Sequence, residues 1–218
     1  MKGETACPRC AGPLRAPNAW SSDWWCTAHG AVLPRQPAKR PNEDGLTAVL
    51  RDARVPVWLP WPLPKGWLVT GFATVGDERT GSRAVGVALA GPGMTSGPAE
   101  VLLVAEEPGV GLGAYFAGLP GPDPGLGFDS DPPHVKLELS RASASHGVAM
   151  WAVPSGDDRA VYVGEAKGLW LWAVLWPAEA GALMLERPPL LDLRDPGLEI
   201  SVPFGAPSPL LDAEPPEA

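Results

Sequence analysis

Seven short apolar runs, each closed off by glycine, proline, aspartate or serine, constrain this chain more than any other feature. They are WLVTGFATV (67–75), SRAVGVALA (82–90), EVLLVAEE (100–107), VKLELS (135–140), GVAMWAV (147–153), AVYVGEA (160–166) and LWLWAVLW (169–176). Runs of this length, rich in valine, leucine and aromatic residues, read as strands. The 28 prolines and 26 glycines fall between the runs rather than in one block, which favours short elements over long helices. The expected fold is therefore mainly β, an antiparallel sheet or sandwich, with α+β as the alternative. GDER (76–79) and GDDR (156–159) each stand between two runs, as tight hairpin turns do. Trp170, Trp172, Val174 and Trp176 alternate along the last run, so their side chains share one face and pack inward. WLPWPLPKGW (58–67) reads as an edge segment with its tryptophans in the core, in preference to a polyproline segment offering its rings to a ligand.

At 218 residues the chain has length for one main core and an appendage. Residues 1–33 form a small head and 55–202 a β-rich main domain. Between them, 34–54 is a linker: LPRQPAKRPN (33–42) has three prolines and no apolar periodicity, and a short helix follows. In NEDGLTAVLRDA, Asn42 is a candidate N-cap and Glu43 and Asp44 occupy the first turn. Leu46, Val49, Leu50 and Ala53 fall on one face. VGLGAYFAGL and PAEAGALMLE are further helix candidates. Residues 118–133 (GLPGPDPGLGFDSDPP) make a long loop of the kind that is either a functional lid or disordered, and residues 203–218, proline-rich and acidic, read as a disordered tail.

All three cysteines lie in CPRCAGPLRAPNAWSSDWWCTAH (7–29), where Cys7, Cys10, Cys26 and His29 give C-x2-C-x15-C-x2-H. This is the spacing of a zinc ribbon with histidine as fourth ligand: two tight turns each supply two ligands to a tetrahedral ion. Gly12 and Gly30 stand just past each pair, where the chain must turn sharply. A thioredoxin-like pair belongs beside a βαβ pattern, which is absent here. The zinc deaminase signature needs H-x-E, which the chain lacks. Four protein ligands leave no position for water, so the expected cofactor is a structural zinc that supplies folding free energy to a segment too small to fold alone. Trp20, Trp24 and Trp25 between the knuckles pack on the site or the main domain, or else form a partner surface.

No other stretch rises to a catalytic constellation. GVGLGAYFAG (109–118) lacks the Lys-Ser/Thr of a phosphate loop, and no G-x-S-x-G occurs. Asp129 and Asp131, and Asp157 and Asp158, suit turns or solvated faces, and His134 and His146 have no nucleophile motif nearby. Glu106, Glu107, Tyr115, Asp123 and His134 are the candidates for a ligand groove. Net charge is −8, divided as +4 over residues 1–41 and −12 over the rest. Nucleic-acid binding by the basic head is the weakest reading, because three of its six positive charges lie in the linker. MKGETACPRC has no apolar h-region, and no stretch approaches the ~18 apolar residues of a membrane span, so a cytoplasmic protein without membrane contact is expected.

The chain resembles an uncharacterised family of actinobacterial proteins, a domain of unknown function. The resemblance rests on CPRC and CTAHG, then VPVWLPWPLPKGW, LLVAEEPGVGLGAYFAG, GPDPG, DDRAVYVGEAKGLWLWAVLWP and LLDLRD, covering most of residues 1–195. It implies no activity. Some members look to be labelled phosphotransacetylase, an enzyme whose length and doubly wound α/β pattern this chain does not have. The leading expectation is a non-enzymatic binding or regulatory module with a protein or small-ligand partner. The rival is an enzyme working at residues 106–134.

Overall fold

All seven apolar runs form strands, and all seven join one antiparallel sheet. The computed structural model describes residues 4–94, 97–140, 147–198 and 200–211. Three short strands come first, β1 (Leu14–Arg15), β2 (Trp24–Cys26) and β3 (Gly30–Val32), then helix α1 (Glu43–Asp52) and strand β4 (Trp58–Pro60). The main sheet is built from β5 (Leu68–Asp77), β6 (Gly81–Pro92), β7 (Pro98–Glu106), β8 (Val135–Leu137), β9 (Val148–Val153), β10 (Ala160–Ala166) and β11 (Leu169–Trp176), with helix α2 (Leu112–Ala117) between β7 and β8. A 3-10 helix (Ala178–Glu186), strand β12 (Leu190–Asp192) and a last 3-10 turn (Pro209–Leu211) follow. The strand order β5-β6-β7-β11-β10-β9-β8 makes two meanders whose only junction is β7 against β11, in register from Glu106↔Trp170 to Glu100↔Trp176. Both polar tetrapeptides sit where expected, GDER at the β5–β6 turn and GDDR between β9 and β10.

One sheet with both faces covered explains why its strands are apolar almost throughout. Val69, Phe72, Val85, Val87, Leu103, Leu171 and Leu175 face a layer made by α1, the two-stranded β4–β12 sheet and the long 3-10 helix. Ala73, Val75, Leu102, Val104, Val163, Trp172 and Val174 face α2 and the loop after it, with Leu33, Ala38 and Leu211 completing the cover. Trp170 and Trp176 pack on this second face beside Trp172, the shared face that their alternation predicts. Trp58 and Trp67 are buried and Trp61 packs at the core margin, while Pro62, Pro64, Lys65 and Gly66 are exposed, so WLPWPLPKGW sends its tryptophans inward from a segment that pairs with β12 rather than with the main sheet. In α1 the Asn42 side chain accepts from the Gly45 amide at 2.8 Å, and Val49 and Ala53 are buried with Leu46 and Leu50 packed beside them.

The stretches expected to be a linker and a tail differ from expectation. Residues 34–39 run along the outer edge of β5: Gly76 N donates to Pro34 O, Gln36 N to Thr74 O and Lys39 N to Phe72 O at 2.8–2.9 Å. Residues 203–208 take the other half of the same edge, through Val69 N to Pro203 O, Gly205 N to Val69 O and Ser208 N to Thr70 O at 2.8–2.9 Å. An open edge strand exposes unpaired N–H and C=O groups, and these two segments satisfy them despite their proline content. Residues 212–218 of the expected tail lie outside the described residues, as does His146. At the opposite end of the sheet, the chain just past β8 pairs with β12, where Leu139 bridges Leu190.

Candidate metal centre

The head is a three-stranded sheet, β1-β2-β3, with a ligand pair at each knuckle. In the first knuckle Cys7 N donates to Gly12 O at 2.8 Å and Ala11 N to Cys7 O at 2.9 Å. The left-handed residue there is Ala11, at φ 55°, rather than Gly12. Gly12 has another reason to be glycine, since a Cβ would stand 3.2 Å from Cys10 Sγ. Gly30, at φ 72°, takes the left-handed turn after His29 as expected.

Cys7, Cys10, Cys26 and His29 converge, with ligand atoms within 4.8 Å of one another and Cys7 and Cys26 buried. His29 Nδ1 lies 3.6 Å from both Cys7 Sγ and Cys26 Sγ, and Cys10 Sγ lies 3.8 Å from Cys26 Sγ. Zinc–sulfur bonds of ~2.3 Å and zinc–nitrogen bonds of ~2.05 Å, set at tetrahedral angles, require edges of about 3.8 Å (S–S) and 3.6 Å (S–N). These three separations match such edges, and with all four donors within 4.8 Å of one another the cluster suits a metal ion. The donors do not fit a disulfide, whose sulfurs stand ~2.05 Å apart. Burial pushes the Cys7 thiol up to about 12. At Cys26 burial also opposes the anion, but hydrogen bonds from His29 and from the Ala28 and His29 amides bring the thiol down to about 6. A cation among these donors removes the cost of a buried thiolate at Cys7.

The head is docked on the main sheet. Ala6 and Arg35 exchange backbone hydrogen bonds at 2.8 and 3.0 Å, and Arg35 also bridges Val75. The Arg9 guanidinium donates to the Gly109 and Val110 carbonyls, and the Trp24 indole to Asp77 Oδ2 at 3.1 Å. Arg35 is itself buried, bonded to the Leu211 carbonyl, with the Tyr115 and Phe116 rings each 4.9 Å from its guanidinium carbon. Of the three head tryptophans only Trp24 is used in docking; Trp20 is 96% exposed and Trp25 43%. Arg35 was hidden from sequence reasoning because it sits among prolines, and every partner it has is distant in sequence.

The five groove candidates are not gathered on one cavity. Glu106 is fully buried, and its carboxylate accepts the Gly111, Leu112 and Gly113 amides at 2.7–3.2 Å, holding the first turn of α2. Glu107 pairs with Arg83 at 2.6 Å. Asp123 Oδ1 accepts from Gly109 N and from the Trp170 indole, both at 2.8 Å, tying the long loop to the sheet. Tyr115 stacks on Arg35, edge-on to Phe116. His134, exposed, bonds to β9 through Met150 and Ala152, on the far side of β11 and β10 from Glu106. No helix among the described residues is long and apolar enough to cross a membrane.

With this geometry in place, comparison with known proteins adds one match: a family model described as "Family of unknown function (DUF6758)" matches residues 1–211. No curated protein and no solved structure matches the chain.

Proposed function

Because the chain belongs to that family of unknown function, which brings no activity with it, we propose from the site itself that the protein is a non-catalytic binding or regulatory module whose head is held by a structural zinc. The closed donor set carries this reading. Four protein ligands fill the corners of a tetrahedron, so no coordination position is left to polarise a substrate or activate water. Three thiolates and one imidazole in that arrangement suit zinc. The acids of residues 106–123 support the same reading, since Glu106, Glu107 and Asp123 are engaged in internal bonds instead of facing a shared cavity. Three unpaired thiols fit a reducing compartment, which favours the cytoplasm.

The test is a native mass spectrum of the protein isolated from its own cells. One zinc per chain and a retained protein or small ligand are expected, and Glu107→Ala and Asp123→Ala should retain that partner undiminished. A folded chain without metal, or a retained small molecule that the protein converts chemically on incubation, overturns the reading.

A further inference from the structure

On the face of the main sheet that the long 3-10 helix covers, a hollow of about 50 Å³ opens between that helix and residues 60–67. Leu89, Leu103, Leu137 and Leu190 are buried and make its floor. Leu63 and Leu183, half-buried, and Pro64 and Glu186, exposed, stand at its mouth. Glu186 is the one charged residue among its described lining. A water molecule needs about 10–15 Å³ of such space, so the hollow has room for roughly four heavy atoms, the size of an isobutyl group. Its apolar walls offer water almost no hydrogen-bond partners, which leaves an aliphatic group as the better filling.

The same surface carries a projection of that size. Residues three apart share one side of a 3-10 helix, and here Gly181 and Met184 are buried. The helix is held in place by hydrogen bonds, from the Tyr162 hydroxyl to Gly181 O at 3.4 Å and from Arg187 N to Met184 O at 3.2 Å. Leu185, next in the chain, is turned away from the core and stands 68% exposed. Met184 and Glu186 on either side of it both line the hollow, and Leu185 does not. A lone exposed leucine is ordinary on a protein surface. One presented by a seated helix beside an apolar hollow of its own side-chain size gives that surface a knob and a hole together.

The charges at this point are self-complementary as well. Glu186 and Arg187 are adjacent and exposed, and neither forms an ion pair among the described residues. A two-fold axis exchanges such features: each projection enters the other copy's hollow, and neighbouring charges of opposite sign, run antiparallel across the axis, meet their opposites.

We propose that this surface binds a second copy of the chain, in a two-fold dimer where Leu185 of each protomer fills the hollow of the other and Glu186 pairs with Arg187 across the axis. An interface centred on one leucine from each copy belongs to the small class, under about 1,200 Å² of total buried surface, so the dimer is reversible and concentration-dependent. The contact goes beyond the binding-module reading and does not depend on the metal.

Sedimentation velocity of the full chain over roughly 5–500 µM tests it, a range in which a small interface passes from monomer to dimer. The dimer fraction should grow with concentration. Leu185→Asp, at an exposed position, should sediment as a monomer throughout with an unchanged Tm. Glu186→Arg should weaken the dimer about tenfold or more by setting like charges against each other, and adding Arg187→Glu to it should restore the dimer. Arg15→Glu on the head should change nothing. A monomer at every concentration, or a dimer that survives Leu185→Asp, overturns the proposal, and so does a dimer that Arg15→Glu weakens as much, which places the contact on the head. A monomer whose Leu183 and Met184 methyl resonances shift on addition of isobutanol overturns it too, by assigning the hollow to a small aliphatic molecule.

Discussion

Replacing Cys26 with serine nearly preserves side-chain size while removing a buried donor from the cluster. If the cluster holds zinc, as proposed, the variant is expected to lose metal on gel filtration and to be cut faster by trypsin in the head, with Tm lower by roughly 5–10 °C and the β signal retained. Retained metal with an unchanged Tm would contradict a structural zinc. Glu106 gives a pH prediction. Burial pushes its carboxyl up to about 7, against the three amides that favour the anion. A folded-state value above the ordinary 4.5 means that its contribution is complete below about pH 4.5 and is lost as pH rises through about 7, on the order of 3 kcal/mol. Between those limits the Tm of the protein should fall relative to that of Glu106→Gln, which cannot ionise; parallel pH profiles would rule this out. The convergence of Cys7, Cys10, Cys26 and His29 was legible because their spacing is local and chemically specific. Glu106 was not, because nothing near it in the sequence announces that the amides of the following turn will fold back over its oxygens.

The two α-helices make separate predictions. Asn42→Ala removes the 2.8 Å cap on α1 and should cost about 1 kcal/mol in urea denaturation. At α2, Gly113 is where backbone and ring meet: a Cβ would stand 2.2 Å from Trp172 Cδ1. Gly113→Ala should therefore cost about 3 kcal/mol, and a neutral result would mean that α2 is not seated on β11 as described. Legibility at this scale followed sequence distance. The seven runs, their two polar turns and α1 could be read because each carries its own pattern and punctuation. β4 and β12 could not, since they are three residues each and pair across most of the chain, Leu59 with Leu191. Nor could the edge role of residues 34–39 and 203–208, whose prolines signal a break in regular structure and say nothing of what lies alongside.

Across the whole molecule the outer flank of β5 is covered from Val69 to Gly76. Removing residues 1–41 would uncover the outer edge of β5 at Phe72 and Thr74 together with the apolar face under Leu33 and Ala38. The shortened chain should self-associate, as light scattering would show; a stable monomer would mean that the head and edge segment protect nothing. The join between the two meanders has a further consequence, for the time in which the protein is made. β7 ends at Glu106, but its partner β11 begins only at Leu169. At ordinary rates of synthesis, several seconds pass between the two. During that interval Val101, Leu102, Leu103 and Val104 have β6 on one side and nothing of their own chain on the other. The newborn protein thus has a period of adhesiveness that the finished one lacks, set by how quickly the ribosome delivers the second meander.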